Sequence, residues 1–106
     1  MAIMLERDYQ SHLIKRLQEL LPGCIVIKND PTYRQGFPDL LILFNDKWAA
    51  LEVKKSKQAH HQPNQDYYVN ELQNMSYAAF IFPENEEDIL SEILRTFGLG
   101  GPTCVS

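Results

Sequence analysis

From Leu5 to Leu21 the chain places Leu5, Tyr9, Leu13, Leu17 and Leu20 at steps of three and four, the spacing that gives a helix one apolar face, and Pro22-Gly23 stops it. Cys24 to Ile27 is a short β-prone run, and the polar stretch Asn29 to Gly36, which carries Pro31 and Gly36, reads as a loop. Two strand-like runs follow, Asp39 to Phe44 and Lys47 to Lys54, divided by the turn-forming pair Asn45-Asp46, which marks a hairpin. Ser56 to Gln62 is polar. Pro63 then suits the first position of a second helix running to about Met75, with Val69, Leu72 and Met75 on one face. Tyr77 to Phe82 is an unbroken apolar run ended by Pro83, as expected of a strand buried on both faces. The acids after Pro83 suit the N-terminal end of a last helix, whose buried stripe is Ile89, Leu90, Ile93, Leu94 and Phe97.

The order α-β-β-β-α-β-α predicts an α/β fold, a mixed central sheet flanked by helices. With 106 residues, 44% hydrophobic and 23% charged, the chain has the balance of one globular unit. A unit of this size buries somewhat over about 60% of its unfolded surface. No repeat or linker divides it, so residues 1–97 are expected to form a single domain and residues 98–106 a mobile tail. No apolar run reaches the roughly 18 residues of a membrane span, and the start MAIMLERD lacks the order of a signal peptide. A cytoplasmic protein without membrane association is expected. Cys24 and Cys104 fit free thiols better than a disulfide framework.

The net charge of -4 argues at first against a polyanionic partner, but the charge is segregated. Glu84, Glu86, Glu87, Asp88 and Glu92 lie together, and without those five acids the rest of the chain carries +1. Between Lys47 and Lys57 four lysines, Lys47, Lys54, Lys55 and Lys57, surround one acid, Glu52.

The hairpin register brings chemistry into this positive stretch. With Asn45 and Asp46 as a two-residue turn, Phe44 pairs with Lys47 and Asp39 falls opposite Glu52. Trp48, Ala50, Glu52 and Lys54 then share one face, so Asp39, Glu52 and Lys54 converge. Two carboxylates facing each other across an antiparallel pair, with Cβ atoms about 5 Å apart, repel unless a positive charge lies between them. A divalent cation resolves the conflict, and oxygen ligands alone suit magnesium or manganese. With Lys54 to orient a water or stabilise charge on a phosphate, the set is suited to hydrolysing phosphodiesters. The plainer reading makes Glu52 and Lys54 an ordinary exposed, charged strand edge. Their position inside the apolar run Trp48 to Val53, and that of Asp39 at the head of five apolar residues, favours the site.

Gly36-Phe37-Pro38-Asp39, a gap of twelve residues, then Glu52-Val53-Lys54, resembles the Gly-x-Pro-Asp and Glu-x-Lys motifs of PD-(D/E)XK nucleases. Within that superfamily the chain is most similar to stand-alone virus-type replication-repair nuclease (VRR-NUC) domains, from the first helix to the last strand. The resemblance implies a restriction-endonuclease-like core, catalytic roles for Asp39, Glu52 and Lys54, and a further acid from the first helix. Glu6 is the candidate for that acid and Glu19 its substitute. The family's Ser-Pro-x-Gln segment aligns with Gln62-Pro63-Asn64-Gln65, which implies a site role for Gln65, although the serine is absent. Asp39, Glu52 and Glu6 are the expected ligands of Mg2+, with Mn2+ as its substitute.

Other residues carry weaker signals. Arg34, Lys55 and Lys57 flank the motifs as candidates for backbone phosphates, and Tyr33 as a base-stacking side chain, against the reading of a solvated loop. His60 and His61 lack accompanying ligands and read as a polar loop. Met75 and the Tyr67-Tyr68 pair read as packing. The expected activity is a metal-dependent endonuclease acting on DNA. The resemblance further implies branched substrates such as Holliday junctions, a homodimer, and a phage or bacterial source. A nucleic-acid-binding or protein-interaction module that keeps the fold without cutting is the alternative, and a sheet edge holding no metal is a third.

Overall fold

The computed structural model describes residues 5–99. The rest of the expected tail, with Cys104, lies outside the described residues. The elements are α1 (Glu6–Leu20), β1 (Ile25–Lys28), β2 (Leu40–Phe44), β3 (Lys47–Val53), α2 (Pro63–Met75), β4 (Tyr77–Ile81) and α3 (Glu86–Thr96), with a 3₁₀ turn, Pro83–Asn85, before α3. The expected order is observed, and α2 starts at Pro63, where a missing N–H costs nothing. The 3₁₀ turn takes up Glu84, so the acids of the first turn of α3 are Glu86, Glu87 and Asp88.

The four strands lie in the order β1-β2-β3-β4, antiparallel except for the parallel β3–β4 pair. Phe44 pairs with Lys47 and Leu40 with Leu51, the register that a two-residue turn requires. Asn45 enables the turn by adopting a φ of 57°, a left-handed conformation that asparagine tolerates.

Each face of the sheet packs against helix. The larger cluster joins Leu13 and Leu17 of α1 and Ile89, Leu90 and Ile93 of α3 to Ile42, Leu51 and Val53. The smaller joins Leu72 and, partly buried, Val69 of α2 to Ala50, Ala78, Leu41 and Trp48. Alternation along β3 therefore sends Ala49, Leu51 and Val53 one way and Trp48, Ala50 and Glu52 the other. Because β3 is an inner strand, the reading of Glu52 and Lys54 as an exposed edge is excluded: they are 3% and 6% exposed.

Two packing expectations need correction. Met75 and Tyr67 are 69% and 59% exposed, because the sheet covers only the arc of α2 that carries Val69 and Leu72. Leu5, meant as the first residue on the buried face of α1, lies outside the helix and is exposed.

Candidate functional site

The segment before β2 is built to present Asp39. Gly36 has a φ of 87°, in the left-handed region that glycine alone enters freely, and a Cβ placed there would lie 2.4 Å from Cγ of Asn64. Both facts demand glycine. Pro38 is fully buried, and Asn29 clamps the backbone at and just after it, Nδ2 donating to the Pro38 carbonyl (2.7 Å) and N to the Asp39 carbonyl (2.8 Å). Asp39 Oδ2 accepts the backbone N–H of Val53 at 2.9 Å, which ties the acid to the β3 strand opposite.

Asp39 and Glu52 thus meet as the register requires, close enough that each carboxyl shifts the titration of the other. Two carboxylates so placed relieve their repulsion by taking up a proton or a cation. Burial, then the Asp39 charge, pushes the Glu52 carboxyl up to about 8, with Lys54 opposing. Burial also raises Asp39, against the Val53 N–H, the Glu52 contact and the Lys54 and Lys28 charges. The pair is short of positive charge.

Lys54 lies one residue beyond β3, where its backbone N–H donates to the Ile81 carbonyl and keeps the chain in register with β4. Its Nζ donates to the His60 carbonyl (2.9 Å) and to Gln65 Oε1 (2.8 Å), and stands 3.7 Å from Glu52 Oε2. Gln65 Oε1 also accepts the Gln62 N–H at 2.9 Å. Two donors on that oxygen fix the amide orientation, so Nε2 faces Glu52 Oε2 and donates to it at 2.9 Å. Gln65 therefore spans Lys54 and Glu52, and its return bond to the Gln62 N–H caps α2.

Glu6 is exposed at the start of α1, near enough to Asp39 that its charge, after desolvation, raises the Glu6 carboxyl, while Lys54 and Lys55 pull it down. It does not join the pair as a third ligand: among the described residues no three His, Cys, Asp or Glu side chains group closely enough to hold a metal ion. Glu19 is exposed thirteen residues further along α1, about 20 Å away at 1.5 Å per residue, and takes no part. Lys55 and Lys57 are exposed beside Lys54. Tyr33 and Arg34 are exposed in the β1–β2 loop, with Arg34 Nη1 donating to the Tyr68 hydroxyl at 3.2 Å.

Sequence reasoning missed the backbone groups, the His60 carbonyl and the Val53 N–H, because no side-chain pattern encodes them. His61 stacks on Phe80, ring centroids 4.0 Å apart, and its Nδ1 lies 3.1 Å from Asp66. The histidine pair is thus occupied in packing and in loop contacts.

A buried, mutually repelling pair of oxygen ligands with an amine alongside suits a hard divalent cation, which needs only one or two carboxylates from the protein. No family model matches the sequence, and no curated protein matches it. The backbone superposes on a solved VRR_NUC domain protein with a TM-score of 0.66 and 16% identity, over 94% of this chain and 93% of the other. The chain has a VRR-NUC-like fold. On it, the Gly36–Asp39 turn, the inner strand carrying Glu52 and the start of α2 carrying Gln65 come together at one end of the sheet. No helix among the described residues is long and apolar enough to cross a membrane.

Proposed function

We propose that this chain is a magnesium-dependent nuclease that hydrolyses the DNA backbone, with Asp39 and Glu52 as ligands and Lys54 as the catalytic amine. The observation that carries the reading is the hairpin register that sets Asp39 opposite the buried Glu52, two acids brought together where burial disfavours the ionisation of both. Held between them, Mg2+ or Mn2+ would supply the charge that draws a phosphodiester oxygen and the acidity that yields hydroxide near neutral pH.

The chain's own residues do the rest. Two of the three Lys54 N–H groups are committed to His60 and Gln65, which leaves one to hold the attacking water or the phosphoryl oxygen. Gln65 keeps Lys54 and Glu52 at fixed separation, so both act on the same phosphorus without reorganising. Glu6, outside the ligand pair but electrostatically close, supports it through water. Lys55 and Lys57 face solvent beside Lys54 and serve backbone phosphates.

Branched DNA, Holliday junctions included, is the proposed substrate. A protomer of this size covers little duplex, and cutting two strands takes two sites, which a two-fold homodimer supplies. The exposed β1 edge, with Ile25 and Ile27, is surface available for that pairing.

The test is a cleavage panel of junction, flap, nicked and linear DNA, with magnesium or with chelator. Magnesium-dependent products are expected from the wild type, and a loss of about a thousandfold in Glu52→Ala and in Lys54→Ala, both folded by circular dichroism. Full activity in either variant overturns the assignment. Binding without cleavage in magnesium or manganese favours the non-cutting module instead.

A further inference from the structure

The β1–β2 loop folds into a groove of about 460 Å³ lined by Asn29, Asp30, Tyr33, Arg34 and Phe37, a size within the range of small-ligand sites. A second groove, of about 220 Å³, shares Arg34 and Phe37 and adds Tyr67 and Tyr68 of α2. Tyr33 is 84% exposed and belongs to neither core cluster. Tyr68 packs edge-on against Phe37, ring centroids 5.4 Å apart, and its hydroxyl fixes the Arg34 guanidinium. The cleft thus offers open π faces with one pinned cation.

Hydrogen bonds fix its position relative to the acid pair. Asn29, part of the wall, bonds the backbone of Pro38 and of Asp39, so wall and acid form one piece. On α2, Tyr68 follows Gln65 by three residues, and side chains at that spacing are neighbours with Cβ atoms about 5–6 Å apart. Whatever fills the cleft therefore lies beside the acid pair, on the same hydrogen-bonded piece of the fold.

The geometry points to an unpaired nucleobase as the occupant: the Tyr33, Arg34, Phe37 and Tyr68 cleft is a subsite for a base that has no partner, next to the bond cut at Asp39 and Glu52. This rests on the nuclease reading and adds the substrate class, DNA with an unpaired nucleotide beside the scissile bond. Aromatic faces and a guanidinium accept any base by stacking, whereas paired bases inside a duplex present no free face. The carboxylates at the margins, Asp30 and Glu71, repel backbone phosphate but accept the amino group of a base edge. The same charges make the cleft a poor centre for an interface with a second copy, where charged residues are depleted.

The test places 2-aminopurine at an unpaired flap position and titrates wild-type protein with chelator present, so that nothing is cut. Binding is expected to quench the fluorescence. Tyr33→Ala, at an exposed position, is expected to bind about fivefold or more weaker with the quenching lost, and Tyr33→Trp to restore both. The same base in a full duplex is expected to show no quenching. Equal binding and quenching by wild type and Tyr33→Ala overturns the inference, as does an effect of Tyr33→Ala on oligomeric state alone by light scattering. Tyr33-dependent quenching with no cleavage in magnesium keeps the cleft and removes the nuclease. Cleavage that ignores unpaired bases and Tyr33 keeps the nuclease and removes the cleft.

Discussion

Glu52 and Glu86 are both buried glutamates, 3% and 8% exposed, yet their carboxyl groups are displaced in opposite directions. At Glu86 burial opposes ionisation, but the Arg16 guanidinium (2.6 Å), the Tyr9 hydroxyl (2.9 Å) and His12 (3.4 Å) outweigh it and hold the carboxyl below its ordinary range. At Glu52 burial acts with the charge of Asp39, and the nearby Lys54 amine spends its closest hydrogen bonds on His60 and Gln65. The first cluster is completed by the chain's own charges and fastens α1 to α3. The second, on the proposed reading, is completed by a proton or cation from outside. Burial alone does not decide which way a buried acid is pushed; the charges and donors around it do.

The largest effect expected from this contrast is on stability at Glu86. Replacing Glu86 by Ala strands the hydroxyl of Tyr9, itself 2% exposed, and removes the partner of Arg16. A loss of about 2–3 kcal/mol follows, a fall in Tm of about 10 °C or more in thermal denaturation. Cleavage measured well below that Tm should stay within about twofold of wild type, since nothing at Glu86 touches the acid pair. A Glu86→Ala protein with unchanged Tm and no activity would show that the two clusters had been assigned the wrong way round.

What was legible in the sequence follows the same line. Asp39 opposite Glu52 could be read because a two-residue turn fixes register by counting, and the apolar residues around Glu52 announced that its strand was buried. Pro63 announced the start of α2 and so aimed Gln65 at the site. Glu86 was not legible: it read as one of several acids favouring a helix start, because its partners lie 70 and 77 residues away in sequence and no local pattern encodes them. Tyr67 and Met75 were misread for a related reason. Periodicity states that α2 has an apolar arc, but how much of it the sheet covers is decided by the width of the sheet.

A smaller effect is expected from pH. Glu52 has an ordinary value of 4.5 when unfolded and about 8 in the native chain, so the native state holds the extra proton between those values and stability falls as pH rises through them. The favourable contribution is complete below about pH 4.5 and lost above about 8. Glu52→Gln removes the titration and keeps the geometry, since its amide nitrogen can donate to Asp39 and its oxygen can accept from Gln65. The variant should match wild type near pH 4.5 and exceed it at pH 9 by about 5 °C in Tm, the effect of about 1 kcal/mol in a domain of this size. Parallel Tm curves across that range would remove the extra proton from the account.

The smallest effect sharpens the comparison most, because it tests the cation directly. On the proposed reading magnesium competes with a proton for one pair of carboxyls, so magnesium at ten times its Kd should stabilise wild type by about 1.4 kcal/mol near pH 9 and progressively less toward pH 6, where the proton already relieves the repulsion. Glu86→Gln should keep that increment even though its starting Tm is lower, since the cation site is intact. Glu52→Gln should lose it even though its starting Tm is higher. The two substitutions thus reverse the order of stability and of metal response, a crossing that a general salt effect on a chain of net charge -4 does not produce.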